Sequence, residues 1–390
     1  MTYPFAHDMA KATELTKSGR LQEAVALIQS RLSGHTDTPA PIPADDALDG
    51  TFTRLADVAP AQAQPARPRK TPGLPRSGLA ETMRKIAAGG MPSRGPLSRA
   101  PQSRVTQPLP PGARFLSLTH ATAQGSRDYR LYIPARQSDG PMPLIVMLHG
   151  CTQTPEDFAL GTGMNRLAEE FGCLVAYPAQ TSAANAQKCW NWFRPEDQHR
   201  DRGEPALIAG LTRAILHDHP ADPARIYIAG LSAGGAAAAI IAAAYPDLFS
   251  AVGVHSGLAA GAAQDVASAF AAMRTGAAGQ PQRSAIPTIV FHGLADTTVH
   301  PDNGAAVANQ ALKTLPKLQR TTVKGTSTGG TTYRQTRHAG PEDRSMVEHW
   351  EISGAGHAWA GGDAQGSHTD PKGPDASREM LRFFLQHTKA

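Results

Sequence analysis

The sequence predicts an α/β protein built on a doubly wound, mostly parallel sheet, and three observations carry that expectation. Pro143 to Leu148 is an unbroken apolar run, as a strand covered on both faces requires. The β-branched and aromatic run Ile226-Tyr227-Ile228 passes through a turn of small residues into an Ala-rich stretch after Gly235. From Arg114 onward, short apolar runs alternate with helical patterns, the signature of successive βα units.

The chain has 390 residues, enough for one large domain and an appendage, and 41% hydrophobic content supports a real core. Three Cys in this length exclude a disulfide scaffold. No apolar run reaches the length of a membrane span, so no transmembrane segment is expected. The first residues lack a basic start followed by an apolar block, so no secretory signal is expected either. The net charge is +5, and residues 1–112 alone, with 14 Lys/Arg against 9 Asp/Glu, account for it. The remainder is neutral overall and carries no general attraction for nucleic acid.

Taken in order, residues 8–32 show apolar residues at helical spacing around Ser18-Gly19, which predicts a helical hairpin over 1–33. Residues 34–112 form a Pro-rich basic linker, largely disordered by composition, in which nine Lys/Arg from Arg67 to Arg104 face only Glu81. The catalytic domain is expected over 113–390. It opens with strands 115–119 and 129–133 paired across Gly125, followed by the apolar strand 143–148. A helix over 156–171 leads to strand 174–177, and a helix over 207–216 leads to the run at 226–228. Strands 251–254 and 288–291 follow, then a pair at 331–337 and 346–352, and a closing helix over 376–387.

Between strand 226–228 and the Ala-rich helix stands Gly230-Leu231-Ser232-Ala233-Gly234, the G-x-S-x-G pattern of a nucleophile elbow. A Ser hydroxyl is a weak nucleophile at neutral pH, so a base must take its proton and a carboxylate must orient the base. Strand 288–291 ends in His292-Gly293-Leu294-Ala295-Asp296, and strand 346–352 ends in a Gly-rich loop carrying His357. Both loops fall at the carboxyl edge of the sheet, where ligand chemistry collects. Ser232, Asp296 and His357 are therefore the candidate nucleophile, acid and base. Asp302 is the rival acid, while His255, His292 and His300 read as core or loop residues. The oxyanion of an acyl intermediate would be held by the backbone N–H groups of Ala233 and Cys151.

His149-Gly150-Cys151-Thr152-Gln153, Cys189-Trp190-Asn191-Trp192, Gly230 to Gly235 and Gly356-His357-Ala358-Trp359 together resemble the polyhydroxybutyrate depolymerase family of esterases over roughly residues 113–390. The resemblance implies an α/β-hydrolase fold and hydrolysis of short-chain polyhydroxyalkanoate esters or oligomers through an acyl-enzyme. It places the triad on Ser232, Asp296 and His357, and substrate contacts on Asn185 and Trp190, with Trp359 as a further wall of the cleft. It also implies a Cys151–Cys189 disulfide bracing the oxyanion loop, a bond that a reducing cytosol would not favour. Feruloyl and acetylxylan esterases share closely similar catalytic domains and give the alternative substrate class. A granule- or partner-binding protein is the alternative of another kind.

No cofactor and no metal site is expected, because neither the His nor the Cys spacing matches a ligand pattern. The expected partner is a polyester or small ester, with a granule surface reached through the N-terminal region. The expected location is the cytoplasm, in association with polyester granules, with export by a non-classical route as the alternative.

Overall fold

A computed structural model describes residues 109–390 apart from 123–124, 137–139, 283, 316 and 390. The hairpin expected over 1–33 and nearly all of the linker expected over 34–112 lie outside the described residues.

The domain is organised by a ten-stranded sheet. It begins with an antiparallel hairpin, β1 (Arg114–Thr122) and β2 (Gly125–Ile133). Next come β3 (Met142–Leu148), helices α1 (Pro155–Thr162) and α2 (Met164–Phe171), and β4 (Leu174–Pro178). Helix α3 (Gly203–Asp218) leads to β5 (Ala221–Leu231), α4 (Ala233–Ala244) and β6 (Ala251–His255). Helix α5 (Val266–Thr275), β7 (Thr288–Gly293) and α6 (Asp302–Leu312) follow. The meander β8 (Gln319–Thr326), β9 (Thr332–Ala339) and β10 (Ser345–Ile352) precedes a small bridge of β11 (Trp359–Ala360) with β12 (Thr369–Asp370), and α7 (Ala376–Phe384) ends the fold.

Spatial order across the sheet is β1-β2-β4-β3-β5-β6-β7-β10-β9-β8. The stretch from β4 to β10 is parallel throughout, and both flanks are antiparallel. This arrangement follows from the side chains. Every residue of β3, β4, β6 and β7 is buried, because helices cover both faces. Each fully buried Leu, Ile or Val contributes about 1.5–3 kcal/mol over its exposed state. Two buried clusters result, one on each side of the sheet. Ile228, Val254 and Ile240 belong to one, and Tyr227, Phe291, Trp350 and Phe384 to the other.

Several elements depart from expectation for local reasons. The single helix expected over 156–171 is two, because Gly163 at φ +62° caps α1 and starts α2. The elbow strand is longer than its apolar core suggested, running from Ala221 to Leu231. Helices α5 and α6 are additions to the elements that the sequence predicts; α5 buries only Ala269 and Ala272 of its ten residues. Strand β8 is exposed at nearly every position, so it carries no apolar alternation to read. Among the described residues, no helix is long and apolar enough to cross a membrane.

Candidate active site

The site begins at the end of β5. Ser232 holds φ +57° and ψ −121°, a conformation that non-glycine residues rarely adopt, and is 6% exposed. The neighbouring glycines make this turn possible. A Cβ on Gly230 would overlap the Gly234 carbonyl, and one on Gly234 would overlap the Leu148 carbonyl. The elbow is thus wedged between its own helix and the end of β3. The Ser232 N–H donates to the His255 carbonyl at 2.9 Å, which ties the turn to β6.

Asp296 and His357 meet because their strands are neighbours. β7 and β10 pair in parallel and end level, Gly293 opposite Ile352. Their following loops are then joined by Leu294 N–H to Ile352 O at 2.8 Å and Ala295 N–H to Ala355 O at 2.9 Å. His357 Nδ1 lies 2.7 Å from Asp296 Oδ2. An ionised carboxylate can only accept, so Nδ1 carries the proton and Nε2 is left as the basic nitrogen. Asp296 is 5% exposed, and burial alone would raise its pKa. Hydrogen bonds from His292 and His357, with the Val299 N–H at 2.9 Å, outweigh burial and hold the carboxyl well below its ordinary range.

Asp302, the rival acid, sits exposed at the start of α6, 3.5 Å from His300, and makes no ion pair with His357 among the described residues. His255 is fully buried and its pKa is pushed down to about 3, chiefly by desolvation and then by His292 and His357. It accepts from Ala360 N–H at 3.0 Å and is a core histidine, as expected. His292 is also buried; its Nε2–H donates to the Val299 carbonyl at 2.9 Å and also lies 3.5 Å from Asp296 Oδ2. Sequence reasoning missed this second imidazole on the acid.

The proposed oxyanion donors belong to two fixed segments. Ala233 opens α4, where the first N–H groups of a helix have no intrahelical acceptor. Cys151 follows β3 and is bonded to Cys189 by a disulfide. Neither N–H is engaged by a protein acceptor among the described residues. Around Cys151, Thr152 N–H donates to Gln187 O at 2.7 Å, and Gly150 N–H donates to Gln153 Oε1 at 2.9 Å. Gln153 Nε2 in turn donates to Asp157 Oδ2 at 2.9 Å and to Ser367 O at 3.1 Å. Gln153 thereby links the loop after β3 to the segment beyond His357.

Ser232, Ala233, Cys151 and Asn185 line one cavity of about 490 Å³. Val299 lines it too, so the acid loop borders the same space. Asp296 and His357 pair with each other but do not line it, and the Ser232 hydroxyl makes no hydrogen bond among the described residues. Catalytic hydrogen bonds often tighten only once substrate binds. The cavity walls are mostly apolar, with Trp192, Phe193, Leu258, Phe270 and Met273 prominent.

Two expected wall residues are elsewhere. Trp190 is fully buried, donates its indole N–H to the His149 carbonyl at 3.0 Å and does not line the cavity. Trp359 is likewise buried, stacked on His255 at 5.0 Å and donating to Ser377 Oγ at 3.0 Å. Each large ring finds more apolar contact in the core than at a wet rim, and its N–H has an internal acceptor there. Trp192 and Phe193 supply the aromatic wall instead. Asn185 reaches the cavity, but its side chain is committed to the loop, donating to Asn191 Oδ1 and accepting from Gln187 N–H, both at 3.0 Å.

Behind that loop lies Glu204, 5% exposed, which accepts from Gln180 Nε2, Asn191 N–H and Asn191 Nδ2, with Arg127 at 3.7 Å. Desolvation first, and Asp197 second, push its pKa up to about 7.

A family model described as Esterase PHB depolymerase matches residues 127–336. Poly(3-hydroxyalkanoate) depolymerase C of Paucimonas lemoignei is 32% identical over 229 residues, covering 55% of this chain and 54% of the depolymerase. The chain therefore spans about half the length of that relative. Feruloyl esterase B of Thermothelomyces thermophilus is 32% identical over 203 residues, covering 47% of this chain and 67% of that one. Among solved structures, an acetyl xylan esterase from Aspergillus awamori superposes with a TM-score of 0.53 at 19% identity, over 70% of this chain and 99% of its own, a likeness of fold. The fold is that of the α/β-hydrolases, and the chain belongs to the esterase PHB depolymerase family of carboxylic ester hydrolases.

Proposed function

We propose that the protein hydrolyses short-chain polyhydroxyalkanoate esters, poly-3-hydroxybutyrate oligomers above all, through a Ser232–His357–Asp296 triad and an acyl-enzyme. Two observations support the reading: the 2.7 Å contact from His357 to Asp296, and a strained Ser232 that lines a mostly apolar cavity. In this mechanism His357 Nε2 takes the Ser232 proton as Oγ attacks the ester carbonyl, a step that requires the Ser232–His357 hydrogen bond to close. The Ala233 and Cys151 N–H groups receive the developing oxyanion, each worth about 3–4 kcal/mol of barrier. His357 then returns the proton to the departing alcohol, and water repeats the sequence on the acyl-enzyme.

The test is hydrolysis of p-nitrophenyl butyrate by the wild type and Ser232→Ala, followed by release of hydroxybutyrate from oligomers. Activity surviving the substitution overturns the mechanism and favours a granule- or partner-binding role. A second reading, an esterase for feruloyl or acetyl groups, is favoured by relatives named feruloyl esterase B and acetylxylan esterase A. Ferulate or acetate release exceeding hydroxybutyrate release would select it. For location, the Cys151–Cys189 disulfide supports an oxidising compartment, whereas attachment to native granules implies the cytoplasm. Cell fractionation combined with thiol trapping reads both at once.

A further inference from the structure

We infer that Arg194 selects esters whose leaving group ends in a free carboxylate, so that the preferred substrates are short oligomers cut next to their acid terminus. The inference rests on the reading of the chain as a hydroxyalkanoate esterase. It starts from the composition of the cavity, where Arg194 is the one charged residue among the described lining residues, set in a wall of Trp192, Phe193, Leu258, Phe270 and Met273. No acidic side chain lines the space to repel an anion.

The guanidinium is exposed and forms no ion pair or side-chain hydrogen bond among the described residues. Arg200, six residues on, shows the usual alternative, held by both carboxylate oxygens of Asp247. Asp197 feels the charge of Arg194, but neither acidic neighbour forms an ion pair with it among the described residues. Glu196 is exposed on the next turn, and Asp197 is turned inward, its Oδ1 accepting from Glu204 N–H at 2.8 Å. The Arg194 backbone is fixed on both sides, its N–H donating to Asn191 O at 2.9 Å and its carbonyl accepting from Asp197 N–H at 3.0 Å. Gln198 Nε2 further pins the turn to Trp192 O at 3.0 Å and Ala263 O at 2.7 Å. A cation on so rigid a turn, beside an apolar pocket, is suited to a planar anion that it can hold with two hydrogen bonds.

Hydroxyalkanoate oligomers supply such an anion. When Ser232 Oγ attacks the last ester, the acyl C–O bond breaks and the proton held by His357 passes to the departing oxygen. The departing molecule is a hydroxyacid whose carboxylate is unchanged by the step, so one bound anion is present from encounter to release. Neutral alkyl, acetyl and feruloyl esters offer Arg194 nothing of the kind.

The experiment compares kcat/KM for the linear dimer of 3-hydroxybutyrate as free acid and as its terminal amide, in the wild type, Arg194→Gln and Arg194→Lys. The wild type is expected to favour the acid by about ten- to hundredfold, the range of a charge-assisted pair. Arg194→Gln should bring the ratio near one, Arg194→Lys should keep part of it, and added salt should shrink it in the wild type. Thermal melts check that the variants fold. A wild-type ratio near one, or a ratio unmoved in Arg194→Gln, overturns the inference while leaving the esterase reading intact. Failure to cleave either dimer, with p-nitrophenyl butyrate still cleaved, overturns the hydroxyalkanoate reading and the inference with it.

Discussion

His357 Nδ1 and Asp296 Oδ2 are 2.7 Å apart, and the carboxylate that receives this hydrogen bond is buried and also flanked by His292. Asp296→Asn should therefore lower kcat about ten-thousandfold with little change in KM, because an amide in that place can favour the wrong imidazole tautomer. Asp296 also fixes a sign in the acid limb. Its depressed pKa contributes stability that is complete above the ordinary value of about 3.9 and is lost only as pH falls through the lower folded value. Unfolding that sets in well above pH 4 must have another origin, which a pH series of melts on the wild type and Asp296→Asn would reveal.

Glu204 carries the opposite sign. Its pKa is raised to about 7, so the folded state holds a proton that the unfolded chain releases near 4.3. Its contribution is full below that unfolded value and is lost as pH rises towards 7. Glu204→Gln, which cannot ionise, should flatten the fall in melting temperature between pH 5 and pH 8. The corresponding loss of wild-type stability should be of the order of 1–3 kcal/mol. An identical pH slope in both proteins would refute the assignment.

Cys151 and Cys189 close a loop with a sequence separation of 38, worth about 4 kcal/mol by chain entropy. Reduction, or the double substitution to Ser, should lower the melting temperature. It should also reduce kcat, because the Cys151 N–H loses its anchor to the 185–189 loop. The two effects separate in an assay run well below the melting temperature, with and without a dithiol reductant.

Gly234→Ala places a methyl group against the Leu148 carbonyl, a backbone atom that cannot rotate away. The expected cost exceeds about 3 kcal/mol, the range of severe overpacking, and soluble yield and melting temperature should both fall. Gly356→Ala is the control. Its added methyl meets nothing within 4 Å.

The sequence makes some parts of this protein easy to read and hides others, for reasons visible in the side chains. Strands β3, β6 and β7 announce themselves because both faces are buried, and the elbow because its glycines are sterically required. Strand β8 was invisible because its Thr, Lys and Arg side chains face water. Asp296 and His357 could be chosen by position in the chain, since loops after adjacent parallel strands must fall together. The cavity wall could not be read this way. Trp190 and Trp192 are two residues apart, yet one fills the core and the other lines the pocket. Such a division depends on how the 181–194 loop folds over the disulfide and Glu204, which no periodicity encodes.

The positive φ of Ser232 has a consequence for anyone selecting hardier variants of this protein. A backbone held there by a residue with a Cβ stores about 1–3 kcal/mol, and glycine alone would adopt it freely. Ser232→Gly should melt at a higher temperature than the parent and hydrolyse nothing. A screen that rewards heat tolerance without demanding turnover will drift towards an inert scaffold by erasing the residue proposed as the nucleophile.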